Sequence, residues 1–435
     1  MYQGSAAKVF ARYAIPQMIG LLFNSVYIIV DGVFIGNRLG SMALAATGVA
    51  VPVVELLIAL SMAVTAGAGV VVSTRIAKRE HEQAVRAFHT CLVLQGIIGL
   101  SVVILGNLFI HPLAKLLGAT PDIQAMTVTY LRYVLSFAPF LLFGYLLGGL
   151  ARNDGKPKLA MVALSAGSLS NILLDYVFMY PLNMGIAGAA LATGIGPIVS
   201  MAILLPHFFA GKGVLRFQKT ALSGNDARSF LRLGLPSFVM EFSIGMVTFL
   251  MNFGIVRYGF GENGLAAYLI IGYLMLIVFT LFLGMAEGLQ PAFSYLHAAG
   301  DHTKLKALLR FAACVFTAVG VVSYVLVLFF SIRFYSIFTP EAHEVAVMAA
   351  QKSTWYFCGL AFAGINILSI SYYQATAQTG NALLISSLRG FVLPALLILI
   401  LPAACGPELL WICHSTAEIM TTLVCLACAT HLLRR

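Results

Sequence analysis

"RYAIPQMIGLLFNSVYIIVDGVFIGNRLGSMALAA", residues 12–46, begins with an apolar run long enough to cross a bilayer, and the chain repeats it. The second copy reads "RLGLPSFVMEFSIGMVTFLMNFGIVRYGFGENGLAA", residues 232–267. Arg12 and Pro16 pair with Arg232 and Pro236; after a one-residue insertion, Leu44-Ala45-Ala46 pairs with Leu265-Ala266-Ala267. In that register Gly67 meets Gly288, Ser73 meets Ser294, Pro181 meets Pro402 and Gly185 meets Gly406. A register kept this far is a duplication.

The composition says what was duplicated. Of 435 residues, 60% are hydrophobic and 10% charged, with a mean hydropathy of +0.94. Soluble domains carry about 25% charged residues, so a water-facing surface cannot be built from this chain. The apolar residues come in continuous runs, which favours helices over a barrel of alternating strands. A spanning helix takes about 20 residues. Twelve such runs lie at roughly 12–35, 43–72, 86–111, 124–150, 158–181, 186–209, 229–256, 264–292, 307–331, 346–375, 381–402 and 408–432. Gly- and Pro-containing stretches such as "NRLGS", "NDGKPK" and "YPLNMG" separate most of them.

The expectation is an all-α membrane protein of twelve transmembrane helices in two pseudo-symmetric six-helix bundles. The first lobe covers residues 1–210, a cytoplasmic linker 211–228 and the second lobe 229–435. Six is even, so both copies enter from one face and are related by an axis along the membrane normal. Transporters that rock around a central cavity are built this way.

A net charge of +10 suggests nucleic acid in a soluble protein, but its distribution argues otherwise. The positives gather in "RIAKREHEQAVR", "ARNDGKPK", "GKGVLRFQKTALSGNDARSFLR" and "DHTKLKALLR", all on one side if twelve spans alternate. The opposite loops hold little beyond Arg38, Lys115, Arg257 and Arg333. The positive-inside rule then puts both termini in the cytoplasm, and a multi-pass chain in the cytoplasmic (inner) membrane is the expectation. No aromatic-interleaved basic face points to nucleic acid. Nearly every base reads as a loop or helix-end residue, with Arg132 and Lys352 the exceptions near outer ends. Of the seven cysteines, Cys425 and Cys428 form a C-x-x-C on an apolar helix, which reads as packing. No metal-ligand motif or catalytic set is visible, so neither an enzyme nor a cofactor is expected.

The informative residues are the polar ones left inside. A carboxylate at mid-bilayer costs about 2.5–3.5 kcal/mol on insertion scales. Asp31 sits on the first helix with Tyr27 four residues earlier on the same face, and Asn171 and Asp175 are likewise i,i+4 neighbours on the fifth. Thr193, in "ALATGIG" on the sixth, is flanked by small residues that allow close helix approach. Taken singly, each is as well explained by a hydrogen bond to a neighbouring backbone. Taken together, two carboxylates facing one interior favour a titrating or ion-binding site, because two nearby carboxylates cannot both ionise cheaply. Oxygens of Asp, Asn and Thr also suit a hard cation such as sodium.

The duplication does not repeat this set. Asp31 aligns near Met251, and no N-x-x-x-D recurs on the eleventh helix. The second half carries Glu241 and Glu287 instead: Glu241 lines a cavity or makes a packing hydrogen bond, and Glu287 is a gate or snorkelling residue near the cytoplasmic end. Glu55 and Glu418 are further cavity or packing residues.

At these residues the chain resembles the bacterial multidrug and toxic compound extrusion family, within the larger multidrug/oligosaccharidyl-lipid/polysaccharide exporter superfamily. "IPQMIGLLFNSVYIIVDGVFIGNRLG" resembles its first helix, "ARNDGKPK" and "SNILLDYVFMYPLNMGIAGAALATGIG" its fourth loop and fifth and sixth helices, and "GLPSFVMEFSIG" its seventh. The resemblance implies two lobes around a V-shaped central cavity. It also implies a monomer that exports organic cations or amphipathic drugs in exchange for protons or sodium ions. It assigns protonation or cation binding to Asp31, Asn171, Asp175 and Thr193, with Tyr27 a polar neighbour and Pro16 a hinge of the first helix. Glu241 matches one member of a second-lobe site in another branch, whose tenth-helix aspartate has no counterpart here. A flippase for lipid-linked saccharides is the alternative; a lipid-phosphate cargo would favour several bases in the cavity.

Overall fold

In a bilayer the backbone must satisfy its own hydrogen bonds, and long apolar runs do so as helices. The computed structural model describes residues 4–338 and 343–433, with side chains for all of these except Ser41, Glu262, Ile337, Phe338 and 427–433. Among them are helices and no strand. The first half comprises α1 (Ala6–Leu39), α2 (Ser41–Ala77), α3 (His81–Leu108), the short α4 (Ile110–Leu116), α5 (Pro121–Asn153), α6 (Pro157–Met179) and α7 (Ile186–Phe209). The second comprises α8 (Gly224–Arg257), α9 (Gly261–Ala298), α10 (His302–Phe338), α11 (His343–Tyr356), α12 (Leu360–Ala375), α13 (Thr379–Ser387), α14 (Leu393–Cys405) and α15 (Cys413–Leu433). A π-helical turn, Leu388–Val392, joins α13 to α14, and a 3-10 turn, Pro407–Ile412, leads into α15.

Eleven spans among the described residues are long and apolar enough to cross a membrane. They become twelve when α11 and α12, bent by 56° at their break, count as one. Local chemistry marks the ends. Ser5 and Ser223 cap α1 and α8 by accepting from Lys8 N and Asp226 N, and Pro121 and Pro157 open α5 and α6. The α5–α6 turn passes through Gly155 at φ 79°, and its repeat, the α12–α13 turn, through Ala377 at φ 59°. The second copy keeps a left-handed turn without its glycine, at a cost of about 1–2 kcal/mol.

Each half lends the start of its first helix to the other half's core. Phe10 and Tyr13 of α1 are buried in the cluster built by α8–α15, and Phe230 of α8, which corresponds to Phe10, is buried among α2, α3, α5, α6 and α7. Glycines make the crossings close. A methyl group at Gly67 would stand 1.9 Å from the Phe230 carbonyl oxygen, and one at Gly234 would stand 1.6 Å from that of Ala63. In the repeated crossing of α1 and α9, Gly288 meets the Tyr13 carbonyl oxygen at 2.5 Å and Gly284 meets the Met18 Cα at 2.7 Å. Backbone therefore lies on backbone at the end of the molecule where α1 and α8 begin. Of the C-x-x-C pair, Cys425 is buried, and the Cys428 side chain lies outside the described residues.

Candidate functional site

Three helices bring the first-half residues together. Gly20 of α1 meets Leu164 of α6, and α6 meets α7 where a methyl at Gly167 would lie 2.1 Å from Ser200 Oγ and one at Gly196 3.0 Å from the Gly167 carbonyl oxygen. This close packing brings the polar face of α6 against α1 and α7. Asp175 is fully buried and Asn171 is 2% exposed, while Tyr27, Asp31 and Thr193 are half-buried. The carboxyl groups of Asp31 and Asp175 lie within each other's electrostatic reach, and Tyr27 stands near both.

The surrounding scaffold does not absorb these groups in well-aligned hydrogen bonds. Asp31 Oδ1, both side-chain polar atoms of Asn171, both carboxylate oxygens of Asp175 and Thr193 Oγ1 are buried with no well-aligned partner among the described residues; the Asp31 and Asp175 carboxyls instead approach each other, and Tyr130 approaches Thr193. A buried polar atom left so costs about 1–3 kcal/mol, and such atoms are normally explained by water, an ion or a chemical role. Acid, amide and hydroxyl oxygens fit a proton or a hard alkali cation. No cluster of three or more His, Cys, Asp or Glu residues able to hold a metal ion occurs among the described residues.

A cleft opens beside the cluster. Tyr27, Asn171 and Thr193 line it together with Gln17, Asn24 and Ser168, whereas Asp31 and Asp175 are not on its wall. Pro16 is buried within an α1 that continues as a helix on both sides of it. Tyr130 of α5, which stands near Asp31, Thr193, Tyr27 and Asp175, belongs to the set and is missing from the sequence reading. Its signal was available, since a tyrosine inside a span needs somewhere to put its hydroxyl. Glu55 of α2 also lies within reach of Tyr27.

In the second half, Glu241 and Glu287 line one smaller cavity with Arg152, Ser237 and Gln374. α12 contributes Ser371 and Gln374 to this wall and no carboxylate. Glu287 accepts from Gln17 Nε2 at 2.7 Å and lies 3.5 Å from Arg152 Nη2, and Arg152 Nη1 donates to Gln17 Oε1 at 2.8 Å. Three helices, α1, α5 and α9, are thus tied across the two halves.

Arg152 is at a helix end, as expected of nearly all bases, but it is turned inward. It is 8% exposed on the last turn of α5, held inside by Glu287. Arg389 departs from the expectation that nearly all bases sit in loops or at helix ends, because it lies inside the expected span 381–402. It lies in the π turn, also 8% exposed, with its Nε 2.8 Å from Glu418 Oε1. Both were hidden for one reason: a base inside the membrane needs a counter-ion, and each counter-ion lies far away in sequence. The expected exception Lys352 pairs with Glu408 and lies over the Phe260 ring at 5.6 Å.

The geometry has relatives. The MatE family model matches residues 16–177 and 236–432, one segment in each copy of the repeat. "Multidrug export protein MepA" of Staphylococcus aureus (strain bovine RF122 / ET3-1) is 25% identical over 396 residues, covering 90% of this chain and 87% of that protein. The protein of the same name from Staphylococcus saprophyticus is 24% identical over 402 residues, covering 91% and 88%. Two solved structures share the fold. A MATE protein in the bent conformation has a TM-score of 0.91 at 23% identity over 99% of this chain and 96% of that one. A multidrug resistance MATE transporter of the MOP superfamily, in an outward-facing conformation, has a TM-score of 0.91 at 24% identity over 97% and 94%. The matched segments take in most of both halves, so the chain belongs to the MatE family: it is an all-α, multi-pass membrane transporter and not an enzyme.

Proposed function

We propose that this chain is a secondary active antiporter that exports cationic or amphipathic organic compounds in exchange for protons or sodium ions, by alternating access. The observation that carries the reading is the set of buried oxygens without well-aligned partners on Asp31, Asn171, Asp175 and Thr193 beside a cleft. Curated relatives named as multidrug export proteins support the cargo class.

The coupling follows from charge. Two carboxylates in one low-dielectric space cannot both stay ionised without compensation. A proton, or a cation held by these oxygens, removes the repulsion and the desolvation cost together. Tyr27, Asn171 and Thr193 connect the acids to the cleft wall, so a change of charge state is felt where cargo sits. Pro16 supplies a position in α1 where one backbone donor is already absent and bending is cheap. Ion entry from outside thereby reshapes the first-lobe cleft and expels the cargo.

Two lobes, residues 1–210 and 229–435 joined by 211–228, perform the motion within one chain, as a monomer in the cytoplasmic membrane. With both termini cytoplasmic by the positive-inside rule, the glycine crossings close the cytoplasmic end. The Gln17–Arg152–Glu287 cluster and Glu241 then lie toward that closed end and act on the gate. The lipid-linked saccharide reading is weaker, because Arg152, a base on the cleft wall, already has Glu287 and Gln17 as partners.

Asp31→Asn and Asp175→Asn, each expressed at the wild-type level, should reduce drug efflux from cells to the vector background. Wild-type efflux from both variants would remove the coupling role. Dye efflux from proteoliposomes under separately imposed proton and sodium gradients identifies the ion, and a labelled lipid offered in the same vesicles tests the alternative cargo.

A further inference from the structure

The duplication allows the cleft of the first half to be followed into the second. Gly185 and Gly406 set the register, so Thr193 corresponds to His414 and Pro197 to Glu418. Contacts confirm it. Gly194 packs on Phe137 as Ser415 packs on Gly359, and Gly144 lies against Pro197 as Asn366 lies against Glu418. Arg389 falls at Gly167 or Ser168. Gly144, Gly167, Ser168, Thr193 and Pro197 all line the first-half cleft. Their counterparts fill the equivalent space with charge.

The filling is a network. Glu418, 1% exposed, accepts from Asn366 Nδ2 and from Arg389 Nε, at 2.8 Å and 3.1 Å respectively. Thr422 Oγ1 donates to Asn366 Oδ1 at 2.9 Å. The Arg389 guanidinium lies over the Phe279 ring at 4.9 Å. The π turn that carries Arg389 widens the helix by one residue at this point, a distortion found most often at functional sites.

His414 is the member left over. It is 8% exposed and stacked on Tyr356 at 4.9 Å, with its Nε2 3.8 Å from Glu418 Oε1. Neither ring nitrogen has a hydrogen-bond partner among the described residues. Arg389 and Glu418 already balance one another, so a neutral His414 leaves the pocket uncharged.

We propose that His414 is a proton-binding site of the second half, with Glu418 as its counter-ion. Adding a proton at Nε2 creates an N–H donor facing a carboxylate already in place, which Glu418 then shares between His414 and Arg389. Of the charges around the ring, Arg389 opposes an added proton and Glu418 favours it. Tyr356 of α11 offers a phenol engaged with Tyr268 at 3.5 Å, Phe279 of α9 carries no charge, and Glu241 of α8 lies within reach of Arg389. The ligand is a proton, and the site stands whether or not the first-half acids drive export.

The test reads protonation directly. Protein labelled with 13C and 15N on histidine, in lipid bilayers, is titrated by NMR across about pH 5–8, the ordinary histidine window. His414→Gln assigns the signal by its disappearance. The wild-type His414 signal should pass from the neutral to the protonated form. Glu418→Gln should lower its proton affinity about tenfold, with Glu418→Asp giving a smaller loss in the same direction should the first variant fail to fold. Asp31→Asn and Asp175→Asn should leave the titration in place. A His414 signal that stays neutral throughout, or an affinity unchanged by both Glu418 substitutions, would overturn the proposal.

Discussion

One location in the repeat is solved in opposite ways by the two halves. In the first, glycines, a serine and a proline leave a cleft, and the acids beside it have buried oxygens with no well-aligned hydrogen-bond partners. In the second, Asn366, Arg389 and Glu418 fill the space and bond to one another. Both arrangements put charge into a low-dielectric interior. Only the second compensates it with protein groups. The difference separates charge that is free to be exchanged from charge that holds the helices in place, and the two respond oppositely to substitution.

Stability should show the largest contrast. Removing one member of a buried ion pair strands the other, at about 3–5 kcal/mol. Arg389→Met should therefore lower the thermal midpoint of the purified protein sharply, and Arg389→Met with Glu418→Met should recover most of the loss. Asp175→Asn removes a buried charge with no partner, so the midpoint should hold or rise even as efflux is lost. A stable Arg389→Met protein, or an Asp175→Asn protein that melts early, would erase the distinction between the halves.

Much of this was legible in the chain, and what was not shares one cause. The spans, the duplication and the pairs Tyr27–Asp31 and Asn171–Asp175 are encoded at separations within a helix or a fixed repeat distance, so sequence alone exposes them. The second-half network takes Asn366 from α12, Arg389 from the π turn, and Glu418 with His414 and Thr422 from α15. The α15 residues share a four-residue spacing, but nothing local ties them to Asn366 or Arg389. Arg152 was obscured by its neighbours in "ARNDGKPK", which read as a loop although α5 continues through Asn153. Helix ends and partners across the bundle depend on tertiary packing, which no local pattern records.

The two crossings between halves invite a finer comparison. At α2–α8 the backbones are closest, with Gly234 against the Ala63 carbonyl oxygen and Gly67 against that of Phe230. At α1–α9 the spacing is looser: the one corresponding pair of glycines, Gly67 and Gly288, would put a methyl 1.9 Å and 2.5 Å from the facing carbonyl oxygen. Overpacking of this kind costs about 1–3 kcal/mol, and here it acts only on the state in which the crossing is closed. Gly234→Ala should therefore shift spin-label distances across α2–α8 toward an open crossing, and Gly288→Ala should do so less across α1–α9. Gly245, with nothing within 4 Å of an added methyl, is the control, and Gly245→Ala should leave both distances unchanged. Equal responses from all three would mean that the glycines are not what sets the closure.

The smallest effect belongs to an ion pair at the α2–α8 crossing that has no counterpart at α1–α9. Arg75 of α2 holds Asp226 of α8 through two nitrogens at 2.6 Å and 2.8 Å, and Asp226 is positioned by its own backbone bond to Ser223. The repeat places Leu296 and Ala6 at the corresponding positions of α9 and α1, so that crossing has no equivalent clasp. The side chains are largely buried, at 14% and 8% exposure, but sit on the last turn of α2 and the first turn of α8, so the pair is worth at least the roughly 1 kcal/mol of a surface bridge and keeps some sensitivity to salt. Arg75→Gln should then raise the open population across α2–α8 by about fivefold or more at low ionic strength, with α1–α9 unaffected. The difference should shrink as salt is added, because screening weakens the wild-type clasp while the variant keeps only the longer Arg86–Asp226 contact at 3.9 Å. An Arg75→Gln effect that persists undiminished in high salt would assign the closure to packing alone.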